Sequence, residues 1–207
     1  MPAQPPYAAV VLAGGRAARL GGQAKPQLRV GGRSMVDTVL AAVADAEPRI
    51  VVGPAQPVPV DVALRRENPP GGGPVAAIRA GLAGVGTADV VVLAGDLPFL
   101  TADVVTQLLT ALAARPDVDG ALVVDDAGRD QYLLGAWRTA VLRSALDRVA
   151  GHAPVRRALA DLIVHRLHPE VPAGEPAPWT DCDTPAELDR ARTVAARRQS
   201  DDGTVTG

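Results

Sequence analysis

A chain of 207 residues is about the length of one α/β domain and is long enough to bury a sizeable core. Apolar residues make up 47 % of it but aromatics only 2 %, so the core is expected to be aliphatic. A net charge of −2 argues against the broad basic surface of a nucleic-acid binder, and the single cysteine, Cys182, excludes an internal disulfide and a cysteine-based zinc cluster.

The first residues lack a charged segment followed by an apolar one, and no apolar run reaches the roughly 18 residues of a spanning helix. A soluble cytoplasmic protein with no membrane partner is expected. Ala8 to Ala13 then reads as a buried strand that breaks at Gly14-Gly15. Arg16, Arg19, a second glycine pair and Lys25 follow. Glycines let backbone N–H groups approach phosphate oxygens while the cations neutralise charge, so this loop suits a polyphosphate. It is neither G-x-G-x-x-G nor a loop ending in G-K-[ST], which disfavours a dinucleotide-binding loop and a Walker loop. Lys25 is the only lysine, the other twenty basic residues being arginine. A compact ammonium is not interchangeable with a guanidinium where a point charge must sit among phosphates, which gives a reason for the exception.

Ser34 is placed to cap a helix running to about Ala46, with Met35, Val36, Val39, Leu40 and Val43 on one face. Short strands are expected at Arg49 to Gly53 and near Val60 to Leu64. Arg65-Arg-Glu-Asn-Pro-Pro-Gly-Gly-Gly-Pro74 is a second glycine-rich loop opening onto a helix from about Val75 to Leu82. Three successive glycines are more than a turn needs and suit close approach by a ligand, a flexible connector being the alternative.

The β-branched run in Asp89-Val-Val-Val-Leu-Ala-Gly-Asp-Leu-Pro98 reads as a central parallel strand ending in Asp96. Thr101, with Asp103 behind it, is expected to cap the next helix, to about Arg115, leaving Asp96 free for chemistry at the carboxyl end of the strand. Gly120 to Val124, a polar turn with Asp125 and Asp126, and Tyr132 to Trp137 read as a hairpin or strand crossing. Helices are expected at about Ala140 to Ala150 and Val155 to Leu162; in the second, Arg156 and Arg157 suit either an anionic acceptor or a solvated face. His152, His165 and His168 show no spacing that suggests a metal or catalytic pair. Near the end, Thr184-Pro-Ala-Glu187 is a capping box for a helix to about Arg198. If the preceding residues are extended, Asp181 and Asp183 share one side and Cys182 packs on the other. One domain over residues 1–198 is expected, with 199–207 a disordered tail.

The run Leu12-Ala-Gly-Gly-Arg-Ala-Ala-Arg-Leu-Gly-Gly-Gln-Ala-Lys-Pro26, with Val30-Gly-Gly-Arg33 after it, resembles the signature of the MobA-like nucleotidyltransferases, the family of the molybdenum cofactor guanylyltransferases. The resemblance runs from about Ala8 to Arg198. It implies that Leu12, Ala13, Gly14, Gly15, Lys25, Gly73, Asp96 and either Glu67 or Asn68 bind a nucleotide. It also implies that Lys25, Arg19 and Asp96 take part in catalysis and that Asp96 and Asp183 hold Mg²⁺. The segment with Arg129, Gln131 and Tyr132 matches the acceptor pocket loosely. GTP and a molybdopterin phosphate are the implied substrates, because Leu-Ala-Gly-Gly looks more like the guanylyl branch than the Ala-Ala-Gly of many cytidylyl enzymes. A cytidylyl- or sugar-1-phosphate nucleotidylyltransferase, or a nucleotide-binding module without catalysis, remains the alternative. Alternating strands and helices give the expected fold, a single doubly wound α/β domain with a mostly parallel sheet and helices on both faces, Rossmann-like.

Overall fold

The computed structural model describes residues 5–14, 19–20 and 23–202, with the side chains of 19, 20, 23, 201 and 202 left aside. Its elements in order begin with β1 (Tyr7–Leu12), two short ribbons β2 (Arg19–Leu20) with β3 (Gln23–Ala24) and β4 (Arg29–Val30) with β5 (Arg33–Ser34), and a single 3₁₀ turn, Lys25–Gln27, between them. Next come α1 (Met35–Ala42), β6 (Arg49–Val52), β7 (Val62–Arg65), α2 (Pro74–Leu82), β8 (Asp89–Ala94) and α3 (Ala102–Ala113). The chain finishes with β9 (Gly120–Val124), β10 (Asp130–Arg138), α4 (Thr139–Asp147), α5 (Val155–Ala158), β11 (Val164–Leu167) and α6 (Pro185–Asp202).

Seven strands form one sheet in the order β11-β9-β10-β8-β1-β6-β7. Only β10 runs against its neighbours β8 and β9; the other pairs are parallel, as the sequence leads one to expect. The central strands are buried on both faces. Ala9, Val11, Val91 and Leu93 pack on one side with α1 and α3, while Ala8, Val10, Val90 and Val92 pack on the other with α2 and α4. That two-sided burial explains the unbroken apolar runs of β1 and β8.

From β1 the chain passes through α1 to β6 on one side, and from α2 it crosses to β8 on the other, so the order reverses between β1 and β8. Open α/β sheets bind ligands at such a switch point. The turns leaving these two strands touch: the Gly95 N–H donates to Leu12 O at 2.8 Å, and a Cβ on Gly95 would lie 2.9 Å from that oxygen. Only glycine permits this approach.

A third, smaller cluster lies apart from the sheet and joins Leu28, Val30 and Met35 to Phe99 and to Cys182, Leu188, Ala191 and Ala195. It draws together the segments that follow Lys25, follow Asp96 and flank Asp183.

Several element limits differ from those read in the sequence. Helix α1 stops at Ala42, where Val43 N–H bonds back to Leu40 O in a tighter turn. Similar turns end α5 at Ala158 rather than Leu162. Thr101 occupies the cap position of α3, but its side chain makes no capping bond. Trp179 to Asp183 is not a strand. Helix α6 continues past Arg198 to Asp202, so residues 199–202, expected in the tail, are helical. The Gln199 side chain donates to Gly31 O at 3.1 Å and ties that end down. Strand β11 was not foreseen. Among the described residues no helix is long and apolar enough to cross a membrane.

Candidate active site

Lys25 begins the 3₁₀ turn that Pro26 initiates, and this fold of the chain leaves it only 5 % exposed. A buried ammonium needs charge-bearing partners. Among the described residues it has two: Nζ donates to Asp183 Oδ1 at 2.5 Å and forms an ion pair with Asp96 Oδ2. Burial lowers the Lys25 pKa, but the bonds to Asp183 and Asp96 outweigh it, so the ammonium titrates above the ordinary lysine value.

Asp96 stands just beyond β8 at the switch point, mostly shielded, while Asp183 lies before α6 and keeps 64 % of its side chain exposed. The capping box fixes the start of α6: Glu187 N–H donates to Thr184 Oγ1 at 3.2 Å, and Thr184 N–H to Glu187 Oε2 at 2.7 Å. Asp183 is thereby free of capping duty. Lost hydration, with the charges of Asp183 and Asp96, pushes the Asp181 carboxyl up from its ordinary value. Cys182 is fully buried, as expected of a packing residue, and burial pushes its thiol up to about 11.

One cleft contains Asp96 of this cluster, and a second is lined by Asp181, two residues before Asp183. The first, of about 470 Å³, runs between the β1 end, with Leu12 and Gly14, and the α2 start, with Glu67, Gly71 and Gly73; Asp96 lies within it. Pro74, Ala77 and Leu133 give it an aliphatic floor, and His152 stands at its wall. Glu67 rather than Asn68 lines it, with Oε1 accepting the Gly71 N–H at 2.9 Å, while Asn68 is exposed outside. Ala13 is buried behind the turn. Gly15 and Arg16 fall outside the described residues, as does the side chain of Arg19.

The second cleft, of about 500 Å³, is bordered by Trp179, Asp181, Glu187 and Arg190 from the α6 side and by Asp125, Arg129 and Gln131 from the β9–β10 turn. Asp125 organises that turn. Its Oδ1 accepts the backbone N–H groups of Ala127 and Arg129 at 2.9 Å each, and its Oδ2 accepts Arg129 Nε at 2.8 Å and Gln131 Nε2 at 2.9 Å. These bonds, the backbone one from Arg129 foremost, hold its carboxyl below the usual range. Tyr132, Arg156 and Arg157 instead border a separate groove beside β11. The sequence reading missed the hub role of Asp125 and the placement of His152, for which a lone acid in a turn and a lone histidine in a loop are faint signals.

Chemically, the cluster is a point where two carboxylates converge on one cationic atom. That convergence fits Mg²⁺, which binds through one or two carboxylates plus substrate phosphates rather than a full protein cage. No group of three or more acidic, histidine or cysteine ligands exists among the described residues.

Comparison with known proteins adds the following. A family model described as the MobA-like NTP transferase domain matches residues 9–169. The molybdenum cofactor guanylyltransferase of Rhodobacter capsulatus is 31 % identical over 192 residues, covering 89 % of this chain and 94 % of its own. That of Mesorhizobium japonicum is 34 % identical over 178 residues, covering 79 % and 81 %. Among solved structures, molybdopterin-guanine dinucleotide biosynthesis protein A of Archaeoglobus fulgidus superposes with a TM-score of 0.71 at 21 % identity, over 92 % of this chain and 99 % of that one. The 2-C-methyl-D-erythritol 4-phosphate cytidylyltransferase of Thermus thermophilus gives 0.66 at 19 %, over 90 % and 98 %, so these likenesses concern the fold.

Proposed function

The chain belongs to the MobA-like NTP transferase family, and we propose that it transfers GMP from GTP to a phosphate of molybdopterin, in its free or molybdenum-bearing form, with release of pyrophosphate. The observation that carries this is the contact of Lys25 Nζ with both Asp96 and Asp183 beside two clefts. One cleft takes the nucleotide and the other the acceptor.

The first cleft holds the base and ribose between the Leu12–Gly14 turn and the Gly71–Gly73 loop, with Glu67 toward the sugar. Lys25, with Arg19, draws the triphosphate to the switch point and stabilises the charge that builds up on departing pyrophosphate. In the second cleft the Asp125 hub fixes Arg129 and Gln131 for the acceptor. The acceptor phosphate attacks the α-phosphorus in line. It needs no general base, since a phosphate is already ionised at neutral pH. Asp96 and Asp183 would hold Mg²⁺, which supplies neutralising charge at the phosphate oxygens. A buried thiol and no possibility of an internal disulfide suit the reducing cytoplasm, where we place the protein.

The test is to incubate the protein with GTP, CTP, ATP or dTTP, Mg²⁺ and pyrophosphatase, with and without molybdopterin or a sugar 1-phosphate. Phosphate release that requires GTP and molybdopterin together is the expected result. Release only with another pair would reassign the substrates, and release with none would leave a binding module.

A further inference from the structure

Apart from the carboxylates of Glu67 and Asp96, the cleft assigned to the nucleotide is walled by aliphatic side chains and backbone, and among its described lining residues His152 alone carries an aromatic ring. The chain is poor in such rings, with two Trp, two Tyr and one Phe in all. A planar base stacks favourably on an aromatic ring.

The loop bearing His152 is also held in place. Ala76 N–H, in the first turn of α2, donates to Gly151 O at 3.2 Å, and the Arg79 guanidinium donates to Val149 O at 2.6 Å and also to Leu146 O. Gly73, at φ +88°, lies against this loop: a Cβ there would sit 3.5 Å from Gly151 O and from His152 Cα. The loop and the start of α2 thus form one wall, with His152, an exposed residue that lines the cleft, at its edge.

We infer that His152 is a further nucleotide-binding residue, whose ring stacks on the base opposite the Leu12–Gly14 turn. This rests on the reading of the first cleft as the nucleotide site. Stacking uses the π face, which every base offers, so His152 adds affinity without choosing among bases; that choice falls to the backbone groups around it.

The experiment is calorimetry on the full chain with Mg²⁺, using GTP and inorganic tripolyphosphate as probes. His152→Ala should raise the GTP Kd about 10-fold, and His152→Phe should restore it to within about twofold where His152→Gln does not. Tripolyphosphate, which has no base, should bind the wild type and all three variants alike. GTP binding by His152→Ala equal to wild type overturns the assignment, as does rescue by Gln but not Phe, or an equal loss with tripolyphosphate. A wild type that binds GTP no better than tripolyphosphate would instead overturn the nucleotide reading of the cleft itself.

Discussion

Lys25 and Asp183, separated by 158 positions in the chain, meet at 2.5 Å. Neither belongs to the central sheet. Each is delivered by a short irregular segment that the third cluster anchors, Lys25 through Leu28 and Asp183 through Cys182 and Leu188. The charge centre of the site therefore depends on packing outside the sheet, and only Asp96 is positioned by a strand.

For Lys25 the expected outcome of Lys25→Ala is a fall in turnover of about 100-fold to 1000-fold, roughly 3 to 4 kcal/mol of transition-state stabilisation. Circular dichroism should show the fold retained. Lys25→Arg should not rescue activity, since a planar fork cannot occupy the position of a compact ammonium between two carboxylates. Near-wild-type kinetics in the alanine variant would remove Lys25 from the reaction.

The carboxylates should differ in the severity of their loss. Asp96→Asn is expected to abolish transfer, whereas Asp183→Asn should be milder, because the Asp183 side chain is 64 % exposed and water can help its amide oxygen hold a hard cation, while Asp96 is mostly shielded. Activity titrated with Mg²⁺ separates them: Asp183→Asn should need more metal to reach its plateau. An unchanged metal requirement in both variants would sink the pairing.

Base choice is expected to favour GTP over CTP, dTTP and ATP. A backbone pocket suited to the guanine edge leaves buried groups unpaired against another base, at about 1 to 3 kcal/mol per mismatch, or roughly 10-fold to 100-fold per contact. Thermal shift with Mg²⁺ present reads this directly, and a preference for CTP would move the chain to the cytidylyl branch.

Asp125 carries a prediction in pH. Its folded-state pKa lies below the ordinary aspartate value of 3.8, so its stabilising effect is complete above that value and is lost as pH falls through the lower folded value. Asp125→Asn should lower Tm at pH 7, and the gap between variant and wild type should narrow as pH falls below the ordinary aspartate value of 3.8. A gap independent of pH would show that the hub acts by shape rather than by charge.

The sequence made some of this legible through local chemistry. A lone lysine among arginines, an aspartate closing a β-branched run and an aspartate just ahead of a capping box each stand out against their neighbours, and the fold brings all three together. Long-range geometry hid the rest. Strand β11 is a four-residue edge strand, Val164–Leu167, paired on one side only with β9, and its mixed polarity shows no alternation long enough to read. The polar end of α6 looks like tail, yet the bond from Gln199 to Gly31 O reaches back 168 positions. Thr101 carries the right residue type for a cap but no capping bond, so a local rule matched the position without the interaction behind it. His152 gains its place through bonds that its loop accepts from Ala76 and Arg79 of α2, far away in the chain.

The third cluster has a consequence in time as well as in space. Eight buried side chains, two of them alanine, secure α6 to the body of the protein, against a sheet whose core fills both faces. Regions with few buried apolar contacts open locally at a fraction of the global unfolding free energy. The amides of α6 should therefore exchange with solvent deuterium well before those of β1 and β8. Because opening would carry Asp183 away from Lys25, a nucleotide bound in the first cleft, which no described residue of α6 lines, should slow exchange in a helix outside that cleft.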